Sequence, residues 1–253
     1  MTCAAIDESV LSLAVLNVDG WGLELTFWIE ADRCAHRLAA IDGTRRVVML
    51  ESIEGAADDL WPPSPPWQQV NAPFAARLFF EKRASEKLSS GNHAVPSAML
   101  VGAAGASHWS ASVEGVGVEG IGLNVTQTEE NQNQSSTGWL FDVACRAKRP
   151  PERLISTYRI VDPSQIVTAA SASDSPALGP RSLGEGRLGG GLLELQTDIG
   201  RYQLRGLPLG STYSDSCQLC VSDQRVELSA PMSQVLPSPD PTTYRWRYRI
   251  STT

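Results

Sequence analysis

No stretch of this sequence approaches the run of about 18 apolar residues that a membrane-crossing helix needs, so no transmembrane helix is expected. No secretory leader is expected either. The N-terminal MTCAAIDESVLSLAVL has no basic segment, and Asp7 and Glu8 stand where a leader would be cationic or apolar. Both absences point to a soluble, cytoplasmic protein without a membrane partner. Cysteine is scarce and scattered. Cys3, Cys34, Cys145, Cys217 and Cys220 are an odd number spread over 253 positions, whereas disulfide frameworks are dense in smaller chains, so reduced thiols are expected. Positive charge is in deficit: the net charge of −7 repels nucleic acid on average, which removes it from the expected partners. At 42% hydrophobic and 19% charged, the composition is that of a folded globular chain. A chain of this length buries enough surface to need no metal or disulfide staple.

What the sequence does contain is strand pattern. In WGLELTFWIE, Trp21, Leu23, Leu25, Phe27 and Ile29 alternate with Gly22, Glu24, Thr26 and Trp28, the period of a half-buried strand. Two Asp-Gly pairs, Asp19-Gly20 and Asp42-Gly43, separate apolar runs. Such pairs favour hairpin turns because the turn needs positive φ, and together they predict a four-stranded meander. Residues 54–73 hold five of the 16 prolines and read as a long loop. The following PFAARLFFEKRASEKL is the best helix candidate, although its start is equally compatible with a strand. Strand signals resume from Ala98. In GWLFDVACRAK, Phe141, Val143 and Cys145 face one side, and Asp142 and Arg146 the other.

No alternation of strand and helix runs through the chain, which argues against a parallel α/β fold. The expected fold is all-β, an antiparallel barrel or sandwich built from hairpins and a meander, with at most one or two short helices. Residues 9–160 form its core. Residues 161–191, dominated by Ser, Ala, Gly and Pro, are a flexible loop or linker, and strands in 192–253 complete the same domain.

Catalytic and cofactor motifs are weak. Gly184, Gly186 and Gly189 match a dinucleotide fingerprint in letter only, because the mechanism needs a strand before it and a helix after it, and neither is present. Cys217 and Cys220 have the spacing of half a zinc site, but four ligands are needed and no second pair exists; no metal and no cofactor are expected. His108 shares a strand face with Ser110, Ser112 and Glu114. Same-face neighbours lie roughly 7 Å apart, too far for a direct Ser–His hydrogen bond within the strand.

Binding signals are more numerous. Trp61 and Trp67 bracket a proline run, with Asp58 and Asp59 just before it. Aromatic faces beside carboxylates suit sugars and other amphipathic ligands. In YRWRYRI, Tyr244, Trp246, Tyr248 and Ile250 alternate with Arg245, Arg247 and Arg249, a core face backed by a cationic stripe. Guanidinium groups suit carboxylate and phosphate, so the stripe fits an anion or an acidic partner. The expectation is a non-catalytic β-sheet binding or scaffold protein whose unknown partner is a protein or a small molecule, anionic or carbohydrate-like. The rival is a hydrolase using His108, Glu114 and Asp142 in a sheet-lined pocket. The pattern sets no oligomeric state.

Overall fold

The hairpins form first in chain order and show how local chemistry sets register. Strand β1 (Val10–Leu16) pairs with β2 (Trp21–Glu30) through a turn in which the Asn17 side-chain carbonyl accepts the N–H groups of Asp19 and Trp21 at 3.0 and 3.2 Å. Gly20 takes φ +85°, a left-handed position that favours glycine. Strands β3 (Arg33–Asp42) and β4 (Arg45–Ser52) follow. Their last pair is Asp42 with Arg45, so the tight turn is Gly43 and Thr44, with Gly43 at φ +56°. The Asp-Gly pairs do mark both turns, but Asp42 belongs to the ladder, one residue away from its expected place.

The computed structural model describes residues 10–17, 19–30, 33–53, 69–71, 77–79, 96–104, 107–117, 136–147, 153–170, 191–209, 217–222, 224–231 and 240–253. The remaining strands are β5 (Gln69–Asn71), β6 (Arg77–Phe79), β7 (Ser97–Ala104), β8 (Ser107–Val116), β9 (Gly138–Ala147) and β10 (Arg153–Ile160). A 3-10 turn at Pro163–Gln165 then leads into β11 (Ile166–Ala170). The chain continues through β12 (Leu192–Gln196), β13 (Arg201–Leu207), β14 (Gln218–Ser222), β15 (Arg225–Ser229) and β16 (Thr242–Thr252).

The strands build two sheets, antiparallel but for one short parallel pair, β5 with β10. In the first the order is β1-β2-β3-β4-β10-β15-β14; in the second it is β11-β12-β13-β16-β9-β8-β7-β6. The meander is the run β1 to β4. The sheets stack as a sandwich and do not close into a barrel, which decides between the two architectures the sequence allowed. Two expectations shift. The stretch 161–191 begins with the 3-10 turn and β11 rather than a loop, because Ile166 and its neighbours pair with β12. Within the helix candidate, residues 77–79 form β6; the rest lies outside the described residues, as do 171–190.

One apolar core fills the space between the sheets. On β9 the alternate residues Trp139, Phe141, Val143, Cys145 and Ala147 are buried, while Arg146 is exposed. On β16 Tyr244, Trp246, Tyr248 and Ile250 are buried. Burial pushes the Cys145 thiol up to about 11, which leaves it protonated and unreactive at neutral pH. Both fully buried indoles hydrogen-bond to the opposite sheet. Trp139 Nε1 donates to the Leu23 carbonyl at 3.3 Å, and Trp246 Nε1 donates to Ser156 Oγ at 3.1 Å. An indole N–H left dry without an acceptor is costly, so these bonds hold the two sheets in one lateral position.

Two substitutions test this core. Trp246→Ala should lower unfolding free energy by roughly 3–5 kcal/mol, the usual range for a buried large aromatic. A loss under about 1 kcal/mol in urea titration would place the ring at the surface. Cys145→Asp should abolish cooperative unfolding at neutral pH, because it buries an unpaired charge.

Candidate functional site

Strand β16 carries the core on one face and a cationic stripe on the other. Arg245, Arg247 and Arg249 point outward from the second sheet, and the strands on either side determine their neighbours. On β9, Ala144 lies opposite Arg245, Asp142 opposite Arg247 and Leu140 opposite Arg249. On β13, Leu207 lies opposite Arg247 and Arg205 opposite Arg249.

Asp142 answers two of the three guanidinium groups. Arg245 Nε donates to Asp142 Oδ1 at 2.6 Å and its Nη2 donates to Oδ2, a two-pronged fork. Arg247 Nε stands 3.4 Å from the same Oδ2. The Asp142 side chain is only 18% exposed and the fork raises the Arg245 pKa above its usual value. Exposed ion pairs of this kind contribute about 0–1 kcal/mol. They do organise the stripe: the fork fixes Arg245, while Arg247 Nε, shielded and without a hydrogen-bond acceptor among the described residues, is drawn to Asp142 by charge alone.

Arg249 is in a different situation. Its Nη2 donates to the Ser136 carbonyl and to Ser136 Oγ, at 2.6 and 2.9 Å. Its Nε is shielded from water and has no acceptor among the described residues. Burial, and then the facing Arg205, lower the Arg249 pKa from its usual value. Arg205 is exposed, and no described carboxylate pairs with either arginine. Like charges directly opposite on paired strands destabilise a sheet. Leu192 lies opposite Arg205, so the row across the sheet reads Leu192, Arg205, Arg249, Leu140.

The hydrolase candidates lie on the same sheet. Glu114 on β8 is exposed and accepts a hydrogen bond from Ser112 Oγ at 3.2 Å, and Ser112 is opposite Asp142. The His108 backbone pairs with Arg146; its side chain lies outside the described residues. Glu114 is six residue steps from His108 in extended chain, roughly 20 Å along β8. The structure therefore brings Asp142 to the arginines, leaves Glu114 one strand away, and does not bring His108 to either. Asp58, Asp59, Trp61 and Trp67 lie outside the described residues.

Cys217 and Cys220 point to opposite faces of the first sheet: Cys217 is buried with Leu219 and Val221, and Cys220 is partly exposed on the other side. An i, i+3 pair on an extended strand cannot turn both sulfurs to one ion. Among the described residues no three His, Cys, Asp or Glu side chains are placed to hold a metal. Among the described residues, too, no helix is long and apolar enough to cross a membrane.

Pattern reading missed two features. Arg205 escaped notice because its importance lies in the non-local pairing with Arg249; the alternation in RYQLRGL was the available signal. The other is a buried polar chain beneath the stripe. His36 Nε2 and Tyr158 Oη share a hydrogen bond of 2.9 Å, and Tyr158 Oη and Tyr248 Oη one of 2.7 Å. Phe141 stacks on Tyr248, with centroids 4.7 Å apart and planes within 8°. Burial lowers the His36 pKa to about 3, so the ring is neutral at physiological pH.

This shift has a signed consequence. Above about pH 6.5 His36 is neutral folded or unfolded and contributes no pH dependence. Below that, the unfolded chain takes up a proton that the folded chain refuses until about pH 3, so stability falls with acidification. The slope from this group approaches ~1.4 kcal/mol per pH unit. Urea titrations at pH 7, 6 and 5 should therefore show a steeper acid loss for the parent protein than for His36→Phe. Parallel slopes would mean that His36 is solvated in the folded state. Compared with known proteins, the chain matches no family model, no curated protein and no solved structure.

Proposed function

We propose that this chain is a non-catalytic binding protein whose ligand is anionic and lies along the outer face of β16 and β13. The observation that carries this reading is the Arg205–Arg249 pair: two arginines directly opposite one another in the register, Arg249 half-withdrawn from water, with a shielded Nε lacking an acceptor among the described residues. The arrangement costs stability in the free protein, and a carboxylate, sulfate or phosphate bridging the pair would relieve it. Guanidinium forks bind such groups in two-pronged fashion. The leucines on either side of the pair suit a ligand with an apolar or ring-shaped body behind its charge. Arg245 and Arg247 extend the cationic surface, with Asp142 holding both. The loop aromatics Trp61 and Trp67 and the acids Asp58 and Asp59 are not needed for this reading. Asp142, as an anchor for two arginines, serves binding better than proton transfer.

Titration calorimetry with short dextran sulfate, against neutral dextran, tests the proposal. Dextran sulfate should bind, with affinity falling as salt rises, and neutral dextran should not. Arg249→Ala should weaken binding by roughly 10- to 100-fold, the loss expected for charge-assisted hydrogen bonds of about 1.5–3 kcal/mol. Arg205→Gln should weaken binding while leaving thermal stability equal or raised by up to about 1 kcal/mol, because a like-charge pair is removed. Equal binding by parent and both variants, or none by the parent, would refute the assignment.

A further inference from the structure

The two sheets end in β1 and β14, and in β11 and β6. Exposed strand edges invite pairing, and folded proteins usually blunt them with bulges, proline, charge or cover. At β11 the register shifts between Ile166 and Thr168, just after Pro163. At the start of β14, the Cys217 N–H donates to the Leu207 carbonyl of the other sheet. Among the described residues, strand β1 has none of these devices. Its seven residues, Val10-Leu11-Ser12-Leu13-Ala14-Val15-Leu16, hold no charge and no proline, and they pair with β2 without a break in register. Val10 and Leu16 are 59% and 44% exposed. Among the described residues only β2 pairs with β1.

The direction of the backbone groups follows from one bond. The Asn17 N–H donates to the Trp21 carbonyl at 2.9 Å, which marks Asn17 and Trp21 as a hydrogen-bonded pair. Such pairs alternate along an antiparallel ladder. Val15, Leu13 and Leu11 therefore bond to β2, while Val10, Ser12, Ala14 and Leu16 direct their N–H and carbonyl groups away from it. The same four residues carry the exposed side chains.

We propose that this edge pairs with β1 of a second copy of the chain, antiparallel about a two-fold axis at Leu13. Ser12 then lies opposite Ala14 of the second copy and Val10 opposite Leu16, and both pairings have the correct hydrogen-bond phase. Leu13 meets Leu13 of the second copy, and Leu11 meets Val15, at the non-hydrogen-bonded positions where side chains approach most closely. Small residues meet small ones, Ser12 with Ala14, and larger apolar residues meet larger apolar ones, so the edge is self-complementary, as an isologous interface requires. The partly buried Leu11 and Leu13, already packed against the core, would extend their apolar row into the second copy. No free charge on β1 selects a different strand. Glu24, which lies opposite Ala14, is engaged by Arg46 Nε and Nη2 at 2.9 and 3.0 Å.

Light scattering of the full chain over a dilution series tests the pairing. The parent protein should show twice the monomer mass at high concentration. Ala14→Pro removes an N–H that faces away from β2 and leaves the β1–β2 bonds intact, a position where edge strands accept proline. Ala14→Lys brings two like charges close across the axis. Both variants should show the monomer mass with an unchanged circular dichroism spectrum; if the proline variant fails to fold, the lysine variant decides. In a Cys3→Ser background, Leu13→Cys should form an intermolecular disulfide faster than Ser12→Cys, because only position 13 meets itself. A parent protein that is monomeric at every concentration overturns the proposal, as does a dimer that survives both Ala14 variants. Faster cross-linking at position 12 overturns the register, and capture of an unrelated extended peptide by a monomeric parent would assign the edge to a foreign strand.

Discussion

Hydrogen bonds that cross the space between the sheets constrain this fold more tightly than its apolar packing does. Hydrophobic burial is non-directional and tolerates a sheet sliding by a residue over its partner. Trp139 bound to Leu23, Trp246 bound to Ser156, and the chain from His36 through Tyr158 to Tyr248 do not tolerate it. Each would leave a dry polar atom if displaced, at about 1–3 kcal/mol apiece. Five strands, β2, β3, β9, β10 and β16, are brought into one arrangement by groups that make up only a small part of the core.

The same constraint explains how a sheet face can carry uncompensated charge. Tyr248 lies between Arg247 and Arg249 in sequence and points the opposite way, into the stacked contact with Phe141 and the bond to Tyr158. A strand anchored so firmly on its inner face can hold arginines outward in fixed positions. Their repulsion is then borne by the fold rather than relieved by movement. Asp142 belongs to the same design, because its own strand β9 is anchored by the buried Phe141 and Val143 on either side of it.

Much of this was legible in the sequence where one strand holds both halves of the pattern. The alternation in Tyr244 to Ile250 and in Phe141 to Arg146 reads directly as inner and outer faces, since side chains alternate along a strand. The hairpins were legible to within a residue, because Gly20 and Gly43 must supply positive φ wherever the turn falls. His36 was not. The register shift between Leu38 and Ala39 breaks the period of two, and buried residues follow one another there, so alternation does not say which way His36 points. The pairing of β16 with β9 and β13 was hidden for another reason: strands joined by long connections carry no spacing signal that names their neighbours. Arg205 and Arg249 therefore looked unrelated, and so did the β1 edge, whose meaning depends on what lies beside it.

The central place of β16 has a consequence for synthesis. It separates β9 from β13, and the residues it brings to β9 are distant in sequence: Arg245 and Asp142 lie 103 positions apart. A ribosome makes β9 long before β16. Until β16 emerges, the nascent chain carries β9 as an open border, with Trp139 and Phe141 lacking Ile250 and Tyr248 beside them. Non-local pairing of this kind is slow, and an unpaired border is prone to wrong partners. The strand that finishes the sheet therefore also ends the interval in which the unfinished chain is most exposed to aggregation.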